Sequence, residues 1–123
     1  MTFCISLRAA VLSVFLLVSS AAFAQSFLFN RSDFTTGIQP GGVGVADFNG
    51  DGALDVAITD SFAQTVTIYL GQTNGTFKEF VTYPAGYETG SVVVGDFNKD
   101  GKVDLAVANW IGSSVSVYLG NGN

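Results

Sequence analysis

Asp47-Phe48-Asn49-Gly50-Asp51-Gly52-Ala53-Leu54-Asp55 and Asp96-Phe97-Asn98-Lys99-Asp100-Gly101-Lys102-Val103-Asp104 are two copies of one nine-residue pattern, D-x-N-x-D-G-x-x-D. The copies stand 49 residues apart, and the same offset lays Val43–Asn74 onto Val92–Asn123 without a gap. A repeat near 50 residues points to a solenoid, a propeller or an array, in which one supersecondary unit is stacked on the next. The fold therefore has to be read from what surrounds the two Asp-rich stretches.

Each copy reads as short strands separated by turn signals. Val43–Ala46 and Val92–Gly95 are apolar runs that lead into the Asp loop. Leu54–Thr59 and Val103–Ala108 lead out of it and are rich in β-branched and small residues. Turns follow at Ser61–Gln64 and Ile111–Ser113, then strands at Val66–Leu70 and Val115–Leu119, each closing on Tyr-Leu-Gly. Gln72-Thr73-Asn74-Gly75 is a tight-turn sequence. Phe77–Tyr83 is a fourth strand, ended by Pro84 and Gly86. After Ala24 no stretch has the 3.6-residue period of a helix. Four antiparallel strands per repeat is the unit of a β-propeller blade. Runs such as Val92–Val94 and Asp55–Ile58 are mostly apolar on both faces, as in a sheet covered on both sides. The expected fold is all-β, with two repeats of four-stranded antiparallel propeller blades. A repeating β-sandwich is the alternative.

The offset also places Phe34 over Tyr83 and Gly37 over Gly86. Residues 27–42 thus read as an outer strand without a blade of their own, 43–86 as the first repeat, and 87–123 as a second repeat that lacks its outer strand. In a closed propeller the N-terminal strand would complete the last blade of the ring. Propellers close with about four to eight blades, so two blades leave apolar faces and strand edges open to association. Three arrangements accommodate this: a shortened reading frame, which is the reading preferred, self-association into a ring, or docking onto the blades of another propeller.

Residues 1–24 read as a secretory signal peptide, with a helical apolar segment from Ala9 to Val18 that is short for a membrane span. Ala22-Phe23-Ala24 offers small residues for cleavage before Gln25. Cys4, the only cysteine, would leave with it, and the chain has no histidine. Disulfides, thiolate metal sites and Ser–His or Cys–His catalysis are thereby excluded. The chain has five basic and ten acidic residues; without Arg8 the balance is four to ten, a net charge of −6. No basic run exists to meet nucleic acid or an anionic membrane. Six of the ten acids lie in the two Asp loops.

That concentration points to a cation. Ca²⁺ takes six to eight oxygens at roughly 2.3–2.6 Å. Asp47, Asn49 and Asp51, and likewise Asp96, Asn98 and Asp100, can converge if the backbone curls. Gly52 and Gly101 permit the positive φ of such a curl. The carbonyls of Ala53 and Lys102 would then point inward, and Asp55 and Asp104 would close the cage. A surface turn is the plain alternative, and the second intact copy argues against it. An EF-hand would need Glu at position twelve between helices, where Ile58 and Val107 stand within strands. Mg²⁺ prefers rigid octahedral sites and keeps its waters.

Phe48 and Phe97 read as core residues that anchor each loop between blades. Trp110 and Tyr87, in turns and without counterparts in the other copy, can stack on a sugar or a peptide, or pack against a neighbouring blade. Asn30-Arg31-Ser32 and Asn74-Gly75-Thr76 match the glycosylation sequon. The acids outside the loops, Asp33, Asp60, Glu79 and Glu88, show no spacing that suggests joint acid–base work.

The run V-x-V-x-D-F-N-x-D-G-x-x-D, followed by V-x-x-Y-L-G, resembles the FG-GAP/VCBS repeat of integrin-α-like β-propellers, over nearly all of the chain from Phe27. The resemblance implies Ca²⁺ at Asp47, Asn49, Asp51 and Asp55 and at Asp96, Asn98, Asp100 and Asp104. It implies a secreted, cell-surface or periplasmic module for adhesion, ligand binding or scaffolding, with an extracellular protein or glycan as partner and no catalysis. Alternatives are a fragment of a propeller-based carbohydrate-active enzyme, or a structural repeat only.

Overall fold

A computed structural model describes residues 28–29 and 31–122. The signal-peptide expectation for residues 1–24 lies outside them. Residues from 31 onward form one unit.

Seven strands make two antiparallel sheets. β1 (Pro40–Ala46), β2 (Asp55–Asp60), β3 (Thr65–Gly71) and β4 (Phe77–Pro84) follow one another across the first sheet. β5 (Thr89–Gly95), β6 (Asp104–Asn109) and β7 (Ser114–Tyr118) do the same in the second. The described residues contain no helix. The all-β expectation and its strand order hold, and the two sheets are a four-stranded blade and a three-stranded one. Even the irregularities repeat at the same offset: the ladder slips between Pro40 and Val43 and again between Thr89 and Val92.

Alternation along the strands explains how the blades meet. In the first sheet Ala57, Val66 and Ile68 share one face, and Leu105 and Val107 of the second sheet bury against them. Val92, Val94 and Tyr118 complete the contact from the second blade, Phe48 and Val81 from the first. Apolar area buried in this seam stabilises the unit at about 25 cal/mol per Å². A polar link holds its inner end. Thr59 is fully buried; its hydroxyl accepts the Gly42 N–H at 2.7 Å and donates to the Gly90 carbonyl at 2.9 Å. Ser61 donates to the Thr89 carbonyl beside it. Gly42 lies so close to the second blade that a Cβ there would strike the Gly90 carbonyl.

The opposite face of the first blade carries a smaller cluster, Val56, Ile58 and Tyr69, with Phe77 against it. Phe34 packs on Tyr69 and Phe77, with ring centroids 5.5 and 5.1 Å away.

The expected outer strand at 27–42 differs in the structure. Residues 31–39 form no ladder, and Pro40–Gly42 already belong to β1. The cause is physical: a strand needs a hydrogen-bonding neighbour, and no sheet edge among the described residues adjoins this segment. It is held instead by the Phe34 ring and by the Ser61 N–H, which donates to the Gln39 carbonyl at 3.0 Å.

Candidate metal centre

Both Asp loops connect the first two strands of their blade, β1 to β2 and β5 to β6. In each, the first Asp folds the backbone around its own carboxylate. Asp47 Oδ1 accepts the N–H groups of Gly50 at 2.7 Å and Asp51 at 3.2 Å, and Oδ2 accepts that of Gly52 at 2.8 Å. Asp96 Oδ1 accepts the Asp100 N–H at 3.1 Å and Oδ2 that of Gly101 at 2.8 Å. This local side-chain-to-backbone bonding is what Asp offers a turn in preference to a ladder.

The middle positions repeat the device. Asn49 Oδ1 accepts the Asp51 N–H at 3.0 Å, while its amide donates to Asp51 Oδ2 at 2.8 Å. Asn98 and Asp100 make the same pair of contacts, both at 3.0 Å. Asp51 Oδ1 accepts the Ala53 N–H at 2.7 Å, and Asp100 Oδ1 that of Lys102 at 2.9 Å. The Ala53 N–H and the Asn49 amide hold the Asp51 carboxyl below its ordinary pKa. The bend requires positive φ at two places: Gly52 and Gly101 at 87° and 84°, and Gly50 and Lys99 at 75° and 64°.

The ninth position is unlike the others. Asp55 and Asp104 are fully buried. Asp55 Oδ2 accepts the Phe48 N–H at 2.9 Å and Oδ1 the Gly71 N–H at 2.8 Å. Asp104 accepts from Phe97 and Gly120, both at 2.8 Å. Gly120 N–H, ahead of Phe97 N–H, lowers the Asp104 pKa against the opposing effect of burial. These two carboxylates tie the start of each loop to the end of the third strand.

The structure thus brings Asp47, Asn49 and Asp51 into one hydrogen-bonded turn, and Asp96, Asn98 and Asp100 into another, and sets Asp55 and Asp104 beneath them as anchors. Among the described residues no three acidic side chains stand together in metal-holding geometry. The donor chemistry nevertheless suits a hard cation: every side-chain donor is oxygen, and an oxygen accepting one N–H keeps a second lone pair. The ion pair found among the described residues, Arg31–Asp33 at 3.0 Å, involves neither loop.

Sequence reasoning missed Gly71 and Gly120, which complete the anchors. The signal was present, since Tyr-Leu-Gly closes both repeats and its glycine stands 16 residues after the anchoring Asp each time. Phe48 packs on the inter-blade core as expected, whereas Phe97 is half exposed. Trp110 and Tyr87 are exposed on turns.

A family model described as FG-GAP-like repeat matches residues 47–107, a span that begins at the first loop and ends within β6. No curated protein and no solved structure matches the chain.

Proposed function

We propose that this chain, whose residues 47–107 match the FG-GAP-like repeat model, is an exported, non-catalytic binding or adhesion module whose two loops hold Ca²⁺. Asp47, Asn49, Asp51 and the Ala53 carbonyl would serve one ion, and Asp96, Asn98, Asp100 and the Lys102 carbonyl the other. Asp55 and Asp104 would lend their negative charge from below. The observation that carries the reading is the near-identical hydrogen-bond pattern of two loops with three carboxylates each and, among the described residues, no cationic side chain paired to any of them. A plain surface turn has no need of three carboxylates at the same spacing in both copies. Bound Ca²⁺ would supply the opposing charge and rigidify the bend; the partner, an extracellular protein or glycan, would be met by the blade surfaces.

Calorimetric titration of chelator-treated protein tests it. Uptake of two Ca²⁺ per chain is expected, in the micromolar to millimolar range of sensor and extracellular sites. Absence of heat up to about 10 mM, ten times the weak end of that range, removes the reading.

A further inference from the structure

The two blades are related by the 49-residue offset, so each exposed face can be compared with a buried copy of itself. On the free face of the first blade Val43 and Val45 are 60 % and 49 % exposed. Their equivalents Val92 and Val94 are partly buried, packed against the first blade. On the free face of the second blade Val115 and Val117 are 63 % and 56 % exposed. Their equivalents Val66 and Ile68 are buried beneath the second blade. The contact inside the chain therefore shows what each free face is shaped to meet. The free face of the second blade is the counterpart of a face that covers valines, and the free face of the first blade offers the valines.

The segment before β1 continues the same relation. Phe34 packs on Tyr69 at 5.5 Å as Tyr83 packs on Tyr118 at 5.9 Å. Ser61 N–H donates to Gln39 as Trp110 N–H donates to Glu88, both at 3.0 Å. Residues 31–39 thus sit on the first blade as the end of β4 and its exit sit on the second. They occupy the place of an outer strand while lacking a sheet. β7, conversely, is hydrogen-bonded to β6 alone among the described residues and has its outer edge open. An open edge next to an apolar face favours strand addition.

We propose that a second copy of this chain supplies the outer neighbour of β7. β7 of one copy pairs with residues 32–35 of the next, which becomes the fourth strand of its second blade, and Val115 and Val117 cover Val43 and Val45. The register follows from β3 and β4: Val66 opposite Tyr83 and Thr67 opposite Thr82 become Val115 opposite Phe34 and Ser116 opposite Asp33. The contact is head-to-tail, so it propagates to a ring or a filament. It draws on the blade faces and not on the Asp loops, so it stands or falls separately from Ca²⁺ binding.

The test uses the full chain with Cys4→Ser, in saturating Ca²⁺. Sedimentation velocity is expected to show concentration-dependent species of at least twice the chain mass. Val117→Asp, at a position exposed within the single chain, should keep the circular dichroism spectrum and weaken association at least tenfold. Mixing a tagged Asp33→Cys chain with an untagged Ser116→Cys chain under mild oxidation should give the mixed disulfide dimer in excess of either homodimer. A chain that stays monomeric at every concentration, or associates undisturbed by Val117→Asp with no preference for the mixed dimer, overturns the proposal.

Discussion

The buried carboxylate of Asp55 accepts the Gly71 N–H at 2.8 Å, joining the exit of the first Asp loop to the end of β3, 16 residues away. Asp104 and Gly120 repeat the bond at the same distance. The glycine is required for more than its N–H. A Cβ at Gly71 would strike the Leu54 carbonyl, and one at Gly120 the Val103 carbonyl. The repeated Tyr-Leu-Gly is thus the far half of the Asp loop.

Gly71→Ala should therefore destabilise the fold although Gly71 lies outside the loop. The strand end must shift to admit the methyl group, at the roughly 1–3 kcal/mol typical of overpacking, and the hydrogen bond to Asp55 lengthens as it does. Denaturant unfolding should show a lower midpoint. An unchanged midpoint would mean that the strand end yields freely and the anchor is slack.

Thr59 bonds both blades through one hydroxyl. Thr59→Val keeps the shape and removes the oxygen, leaving the Gly42 N–H and the Gly90 carbonyl without this partner. A buried group left unsatisfied costs about 1–3 kcal/mol. The loss should fall on the seam, so amide exchange near Gly42 and Gly90 is expected to accelerate more than in β3. Uniform acceleration would assign the effect to global stability instead.

The strand order, the repeat offset and the loop pattern were legible because each rests on local chemistry: alternation, turn residues and oxygen spacing. The role of Asp55 and Asp104 was not. Position nine reads as one more ligand, and only the fold adds its anchoring task, by carrying the end of the third strand back to the loop and offering the Gly71 and Gly120 N–H groups. Phe34 was matched to Tyr83 from the offset alone, and the structure packs the two rings on equivalent tyrosines, Tyr69 and Tyr118. The expected strand around it fails to form because pairing depends on a neighbouring edge, a property no single segment possesses.

The second loop carries a local cost that the first avoids. Lys99 adopts a φ of 64° where the first loop has Gly50 at 75°. A side chain in this left-handed region costs about 1–2 kcal/mol, while glycine in its place adds some freedom to the unfolded chain. Lys99→Gly is expected to stabilise the fold by a net amount of under about 1 kcal/mol, seen as a small rise in the unfolding midpoint. A fall would show that the Lys99 side chain makes a compensating contact.

Acid should loosen the first blade through Asp60, which is not a candidate metal ligand. The Ala63 N–H at 2.8 Å, with the Gln39 N–H at 3.4 Å, holds its carboxyl below the ordinary 3.8, and burial opposes them only in part. A carboxyl lowered in the folded state contributes stability above its unfolded pKa and loses it as pH falls through the folded one. The contribution is thus complete at neutral pH and fades below about pH 4, the ordinary carboxylate range. Its equivalent in the second blade is Asn109, whose Oδ1 accepts the Gly86 N–H at 3.0 Å without titrating. Asp60→Asn should accordingly flatten the decline in stability between roughly pH 4 and pH 2, measured by urea unfolding at each pH. An acid slope equal to that of the unaltered chain would place the acid sensitivity in other carboxylates.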